Sequence, residues 1–181
     1  LGEGGDQQME VVKGPDSSRE ERLTRMVEQY QSSLLTMCYA YLHERELAED
    51  AVQETFLKAY RAMDSFRGES SEKTWLTSIA INVCRNVHRS GWFSRMNRSV
   101  TPEDLSVAVW DDYDQDAADL AAAIQKLPDK LKEVVILYYY QEISMPEIAR
   151  IVGVTPSMVS RRIKKAHAKL HDVLGKEYLY G

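Results

Sequence analysis

The sequence predicts an all-α protein of two small helical domains joined by a flexible acidic linker. Three observations carry this. Apolar residues recur at helical spacing in long stripes over residues 19–89 and again over 117–170. Between the stripes, 99–116 holds six acidic residues, no basic one and no period. Hydrophobic content is 44%, with only nine Gly and five Pro in 181 residues, as a folded, mostly helical chain requires.

Residues 1–18 (LGEGGDQQMEVVKGPDSS) are polar and Gly-rich without periodicity, and disorder is expected there. Ser18 precedes a first helix to about His43, whose stripe is Leu23, Met26, Val27, Tyr30, Leu34, Cys38, Tyr41 and Leu42. A second helix spans about Glu46 to Asp64, with Ala48, Val52, Phe56, Ala59 and Met63 inside. Glu49, Asp50, Gln53, Glu54, Arg61 and, less cleanly, Lys58 lie outside. Phe66 to Ser70 reads as a loop, and Ser70 or Ser71 caps a third helix to about Arg89. Trp75, Leu76, Ile79, Ala80 and Val83 point inward, while Lys73, Asn82, Arg85, Asn86 and Arg89 place several polar groups on one outward face. Trp92 and Phe93 either pack the domain's end or touch nucleic acid.

After the linker the helical pattern resumes at Ala117 with Leu120, Ile124 and Leu127. It breaks at Leu-Pro-Asp and re-enters near Asp129 with Leu131, Val134, Val135 and Tyr138. Residues 143–170 then read as two short helices around a three-residue turn, Gly153 to Thr155. Ser144 and Glu147 form a capping box, and Pro146 sits in the first turn. Ile148, Ile151 and Val152 supply the stripe, and Gly153 fits a left-handed C′ position. Thr155 and Pro156 restart the chain as N-cap and N1. Val159, Ile163, Ala166 and Leu170 face inward; Ser157, Ser160, Arg161, Lys164 and Lys165 face out. This is the pattern of a helix-turn-helix with a recognition helix.

Charge supports that reading. The chain is acidic overall, at −5, yet residues 144–172 carry six Lys/Arg against two acids, and residues 67–98 carry six against two. Two basic segments flanking an acidic connector suit a nucleic-acid partner. Cys38 and Cys84 lack metal or disulfide spacing and read as small buried apolar residues. His167 and His171 are an i,i+4 pair without a third ligand, so surface positions are expected and no metal or cofactor is. No apolar run approaches the ~20 residues of a membrane span, and no signal pattern opens the chain. A cytoplasmic location is therefore expected.

Three segments, AEDAVQETFLKAY at 48–60, FRGESSEKTWLTSIAINVCRN at 66–86 and LPDKLKEVV…EISMPEIARIVGVTPSMVSRRIKKAHAKL at 127–170, resemble the extracytoplasmic-function (ECF) group of bacterial RNA polymerase sigma factors. The resemblance runs from about residue 20 to 175. After the segment 1–18 expected to be disordered, it implies sigma domain two at 19–96, a linker at 97–116 and sigma domain four at 117–176. It further implies docking on core RNA polymerase, on the clamp helices of the largest subunit through Asp50, Gln53, Glu54 and Lys58, and on the flap of the second-largest subunit. For the −10 promoter element it implies Arg67, Ser71, Lys73, Asn82, Arg85, Asn86 and Arg89. Asn82 would read a base edge, Arg67, Lys73, Arg85 and Arg89 would hold phosphates, and loop 66–72 would receive a flipped base. Trp75, lying in the apolar stripe, is expected in the core rather than as a stacking platform. For the −35 element the set is Thr155, Ser157, Ser160, Arg161, Arg162, Lys164 and Lys165, with Arg162 and Lys165 toward phosphates. Arg161 stands where many relatives carry a smaller polar residue. An anti-sigma partner, often membrane-anchored, is also implied, and no small-molecule substrate. The rival readings are a helix-turn-helix regulator that never docks on polymerase, a purely regulatory protein that has kept the fold, and an enzyme. No P-loop, metal cluster or nucleophile constellation supports the last.

Overall fold

The computed structural model describes residues 15–90 and 115–175, which form helices without a strand. Residues 1–14, residues 97–114 of the expected linker and the Trp92–Phe93 pair lie outside the described residues, while Gln115 and Asp116, expected in the linker, open a helix. The first half holds α1 (Pro15–Leu42), α2 (Arg45–Ala62) and α3 (Glu72–Arg89). The second holds α4 (Gln115–Gln125), α5 (Asp129–Val135), α6 (Met145–Val152) and α7 (Pro156–Leu174).

The expected stripes are the buried ones. Met26, Leu34, Cys38, Tyr41 and Leu42 of α1 are buried, as are Ala48, Val52, Phe56 and Ala59 of α2 and Leu76, Ala80 and Val83 of α3. Met37, unassigned from the sequence, is buried as well. Both cysteines are free and buried. Each large apolar side chain so removed from water contributes about 1.5–3 kcal/mol. Ser18 does not cap α1, because that helix already runs from Pro15. The second helix also stops earlier than expected. It ends at Ala62, and Met63–Ser65 continue as a 3₁₀ turn.

Two devices set the junction before α3. The Ser71 hydroxyl caps the helix, accepting from the Thr74 N–H at 3.0 Å. Glu72, in its first turn, accepts from Arg25 at 2.8 and 2.9 Å and from Arg22 at 3.0 Å, which ties α3 to α1. Those guanidiniums, Arg25 first, hold the Glu72 carboxyl below the usual carboxylate range.

In the second half α5 does not simply continue through Tyr138. Ile136–Tyr140 widen into a π turn, with the Gln141 N–H bonded back to the Ile136 carbonyl at 3.3 Å. The helix-turn-helix follows as expected. Gly153 stands in the left-handed region at φ +70°, and the Val154 N–H returns to the Ala149 carbonyl at 2.9 Å. Thr155 caps α7 through the Met158 N–H at 3.3 Å, with Pro156 as first residue. Val159, Ile163, Ala166 and Leu170 are all buried. The capping box at Ser144 is only half formed. Its hydroxyl donates to the Glu147 carboxylate at 2.6 Å and makes no capping bond to the helix backbone.

The halves pack on each other, which local periodicity did not reveal. Val134, Ile136, Leu137, Ile143 and Ile148 share one apolar core with α1, α2 and α3. Polar bonds cross the same junction. Gln141, fully buried, donates to the Ser33 carbonyl at 2.8 Å and accepts from Thr77 at 3.5 Å. The Gln125 amide donates to the Ala40 carbonyl. A smaller core of Ala123, Ile124, Leu127, Leu131, Val135, Ala166 and Leu170 seats α7 on α4 and α5.

Candidate nucleic-acid interface

The loop between α2 and α3 forms an open cavity of about 350 Å³ lined by Ser65, Phe66, Arg67, Glu69, Ser70 and Trp75. The Phe66 and Trp75 rings stack with centroids 4.7 Å apart, and the Arg22 guanidinium lies 5.5 Å from the Phe66 ring centre. Gly68, at φ +72°, lets the loop turn back. Trp75 is therefore a cavity wall as well as a half-buried packing residue, where its place in the stripe suggested core alone. Phe66 and Glu69 belong to the loop expected to receive a flipped base, whereas Ser65 has no role read from the sequence. An aromatic before a Gly-containing loop, facing another in the first turn of the next helix, is the signal that marks them.

The polar face of α3 divides. Asn82, Asn86 and Arg89 are exposed, and Lys73 is half-buried. Arg67, in the loop, is exposed. Ser71 is exposed, but its hydroxyl serves the helix cap and donates to the Thr74 hydroxyl at 3.0 Å. Arg85 departs from the outward phosphate-holding role expected of it. Its Nε and Nη2 donate to Glu133 of α5 at 2.7 and 2.8 Å, and its Nη1 donates to Asn82 Oδ1 at 3.0 Å. The cause is tertiary, since Glu133 reaches it only because the two halves pack.

On α7 the residues expected outside are where the period puts them. Thr155, Ser157, Arg161, Lys164 and Lys165 are exposed; Ser160 and Arg162 are half-buried. Thr155 and Ser157 share a hydrogen bond at 3.1 Å. A rigid helix, anchored by four buried residues and showing hydroxyls at its N-terminal turn and cations beyond, suits a major groove. His167 bonds the Tyr139 hydroxyl at 2.6 Å. Among the described residues no group of three or more His, Cys, Asp or Glu is placed to hold a metal ion, and no helix is long and apolar enough to cross a membrane.

A third face lies on α2. Asp50 and Gln53 are exposed, Glu54 and Lys58 are half-buried, and the last two pair at 3.5 Å. Leu57, 52% exposed, stands among them.

Comparison with known proteins covers both halves of the chain. Residues 26–93 match the family model for Sigma-70 region 2, and residues 117–170 match that for Sigma-70, region 4. RNA polymerase sigma factor YlaC of Bacillus subtilis is 32% identical, over 82% of this chain and 89% of its own. RNA polymerase sigma-H factor of Pseudomonas aeruginosa is 28% identical, over 93% and 94%. Among solved structures, the sigma factor RpoE of Bartonella quintana, crystallised with the anti-sigma factor NepR, is similar in fold. Its TM-score is 0.72 at 23% identity, over 87% of this chain and 99% of that one. Both halves of the chain thus match regions of one group, and the chain belongs to the ECF family of RNA polymerase sigma factors.

Proposed function

We propose that the chain is a dissociable specificity subunit that binds core RNA polymerase, directs it to promoters with a −35 and a −10 element, and helps melt the second. Residues 19–96 serve as the polymerase- and −10-binding domain, 97–116 as the linker and 117–176 as the −35-binding domain. The observation that carries this reading is the aromatic-walled cavity at the start of α3, the helix that further along exposes Asn82, Asn86 and Arg89. A protein that only occupies duplex DNA needs α7 and has no use for a pocket that receives an unstacked base. Extruding a base costs a few kcal/mol, and stacking on an aromatic returns about 1–3 kcal/mol. Asn82 is suited to a base edge, and Arg67, Lys73 and Arg89 to phosphates.

The α2 face is acidic and amide-rich around an exposed leucine, which disfavours DNA and fits a basic groove on a protein. Asp50, Gln53, Glu54 and Lys58 are its contacts to the largest subunit's clamp helices, while the second domain meets the flap of the second-largest subunit. The bond-making chemistry belongs to the polymerase, so the chain needs no catalytic residue. It works in the cytoplasm and is held inactive there, or at the membrane's inner face, by an anti-sigma protein.

Run-off transcription from a promoter library, with purified core polymerase and with or without this protein, tests the proposal. Transcripts that depend on the protein and share both elements are expected. Tight DNA binding without any programming of core enzyme would instead make the chain an ordinary helix-turn-helix regulator.

A further inference from the structure

Among the described residues four large apolar side chains stand exposed: Leu57, Tyr139, Met158 and Val173. Leu57 belongs to the α2 face, the Tyr139 hydroxyl is bonded to His167, and Val173 lies in the last turn of α7. Met158, 37% exposed, differs from these in position. It stands in the first turn of α7, the end of a recognition helix that meets base edges. A single exposed apolar side chain is ordinary on a protein surface. One set among the proposed base readers has a specific partner within reach.

Val159, Ile163, Ala166 and Leu170 turn one side of α7 into the core. At about 100° per residue, Met158 falls outside that stripe and beside the cations. Around the helix axis Lys165 lies within roughly 20° of it, Arg162 within roughly 40° and Arg161 within roughly 60°. The turn that carries Met158 is firmly held. Its N–H donates to the Thr155 hydroxyl at 3.3 Å, Thr155 and Ser157 share a hydrogen bond at 3.1 Å, and Pro156 fixes the first helical φ. Helical Cα–Cβ bonds tilt toward the N-terminus, so the thioether covers the leading end of α7 and not the turn behind it.

The other groups proposed for the −35 contact are hydroxyls and cations, which read hydrogen-bonding edges or hold phosphates. A thioether has almost no part in that code. The major groove offers one apolar group, the C5-methyl of thymine. Methionine suits it, because three rotatable bonds and a polarisable sulfur let the side chain settle against a methyl. Residues three apart are separated by about 4.5 Å along a helix, close to one base step of ~3.4 Å. We propose that Met158 is a further specificity-determining residue, which packs its thioether on the C5-methyl of a −35 thymine within about two base pairs of the pair that Arg161 reads. The proposal rests on the sigma-factor reading above.

The test uses holoenzyme assembled from core polymerase and the full chain, on the preferred promoter that the library selects. Each −35 thymine, on either strand, is replaced singly by deoxyuridine, which deletes the methyl and keeps every hydrogen-bonding group. One replacement should weaken promoter binding about fourfold, the loss of one buried methyl group, and the other thymines should respond little. Met158→Ala should weaken binding of the thymine promoter by at least a similar factor and erase that one response, so that thymine and deoxyuridine bind alike there. Met158→Leu, which keeps an apolar group at the site, should keep the response. The side chain is exposed, so both variants should retain the helical circular dichroism. Three results overturn the assignment while the sigma reading stands: Met158→Ala keeps every deoxyuridine response, no thymine responds, or the selected element has no A·T pair near the position that Arg161→Ala relaxes. If the unsubstituted protein programs core enzyme at no promoter with a shared −35 element, the sigma reading fails and the Met158 proposal fails with it.

Discussion

Arg85 and Glu133, 48 residues apart in the chain, form a bidentate pair at 2.7 and 2.8 Å with side chains only 19% and 9% exposed. The bond to Glu133 raises the Arg85 pKa further, and burial followed by the same carboxylate pushes the Tyr41 phenol up. Removing one member of a fully buried pair costs about 3–5 kcal/mol, because the other charge is left without its partner. Arg85 keeps some solvent contact, so Arg85→Met should lower the urea-unfolding free energy by about 2–3 kcal/mol. In the cycle with Glu133→Gln the double variant should lose at least about 1 kcal/mol less than the two singles combined. Strict additivity would mean that the pair does not form in solution.

A second consequence concerns pH. His43 joins α1 to α2 in the left-handed region, at φ +56°, and burial, then the nearby Lys132 charge, hold its imidazole below its ordinary pKa. The unfolded chain therefore takes up the proton before the folded one does. The His43 contribution is fully present above pH ~6.5 and is lost as the pH falls from there through the folded value. The melting temperature should decline across that window, and His43→Asn, which tolerates the same backbone region, should flatten the decline. A His43 NMR titration midpoint at or above ~6.5 would refute the assignment.

How much of this was legible in the sequence depends on the range of the force involved. The helix-turn-helix could be read residue by residue because its signals are local: Gly153 ends one helix, and Thr155 and Pro156 start the next. The α2 stripe and the Ser71 cap were legible for the same reason. The junction was not. Lys132 and Glu133 look like solvated residues of a short helix, and Gln141 like a loop amide, yet all three are buried against elements tens of residues away. The α3 period alone turns Arg85 outward, and nothing nearby in sequence announces Glu133. The π turn at Ile136–Tyr140 hid inside an apolar run that suits an ordinary helix equally well. For the candidate site, Asn82, Asn86 and Arg89 stand exposed as expected, but the Phe66–Trp75 wall emerged only once the loop had folded back.

Gly153 offers a check on the turn that needs no ligand. Its φ of +70° penalises any L side chain, while an added Cβ would meet nothing within 4 Å. Gly153→Ala should therefore cost about 1–2 kcal/mol through backbone strain alone. Gly153→Asn should cost less, since Asn visits this region more readily. Urea unfolding of both variants measures it. An alanine cost above ~3 kcal/mol would show that the turn is also held by packing absent from the present geometry.

The exposed face of α7 separates two kinds of contact, and the holoenzyme can tell them apart. Arg161 is exposed on the recognition helix, within two turns of its N-terminus, where a guanidinium can meet a guanine edge with two bonds. Arg161→Ala should cost about 1–3 kcal/mol on the preferred promoter and relax preference at one −35 position, leaving the others as they were. Lys165, exposed one turn further along, is the proposed phosphate contact. Lys165→Ala should weaken all promoters nearly alike and reduce the slope of log affinity against log salt by about 1. Binding measured at several salt concentrations, over promoters varied singly across the −35 element, resolves both effects. A uniform loss with Arg161→Ala and a position-specific one with Lys165→Ala would reverse the roles of these residues and rotate the proposed docking of α7 in the groove.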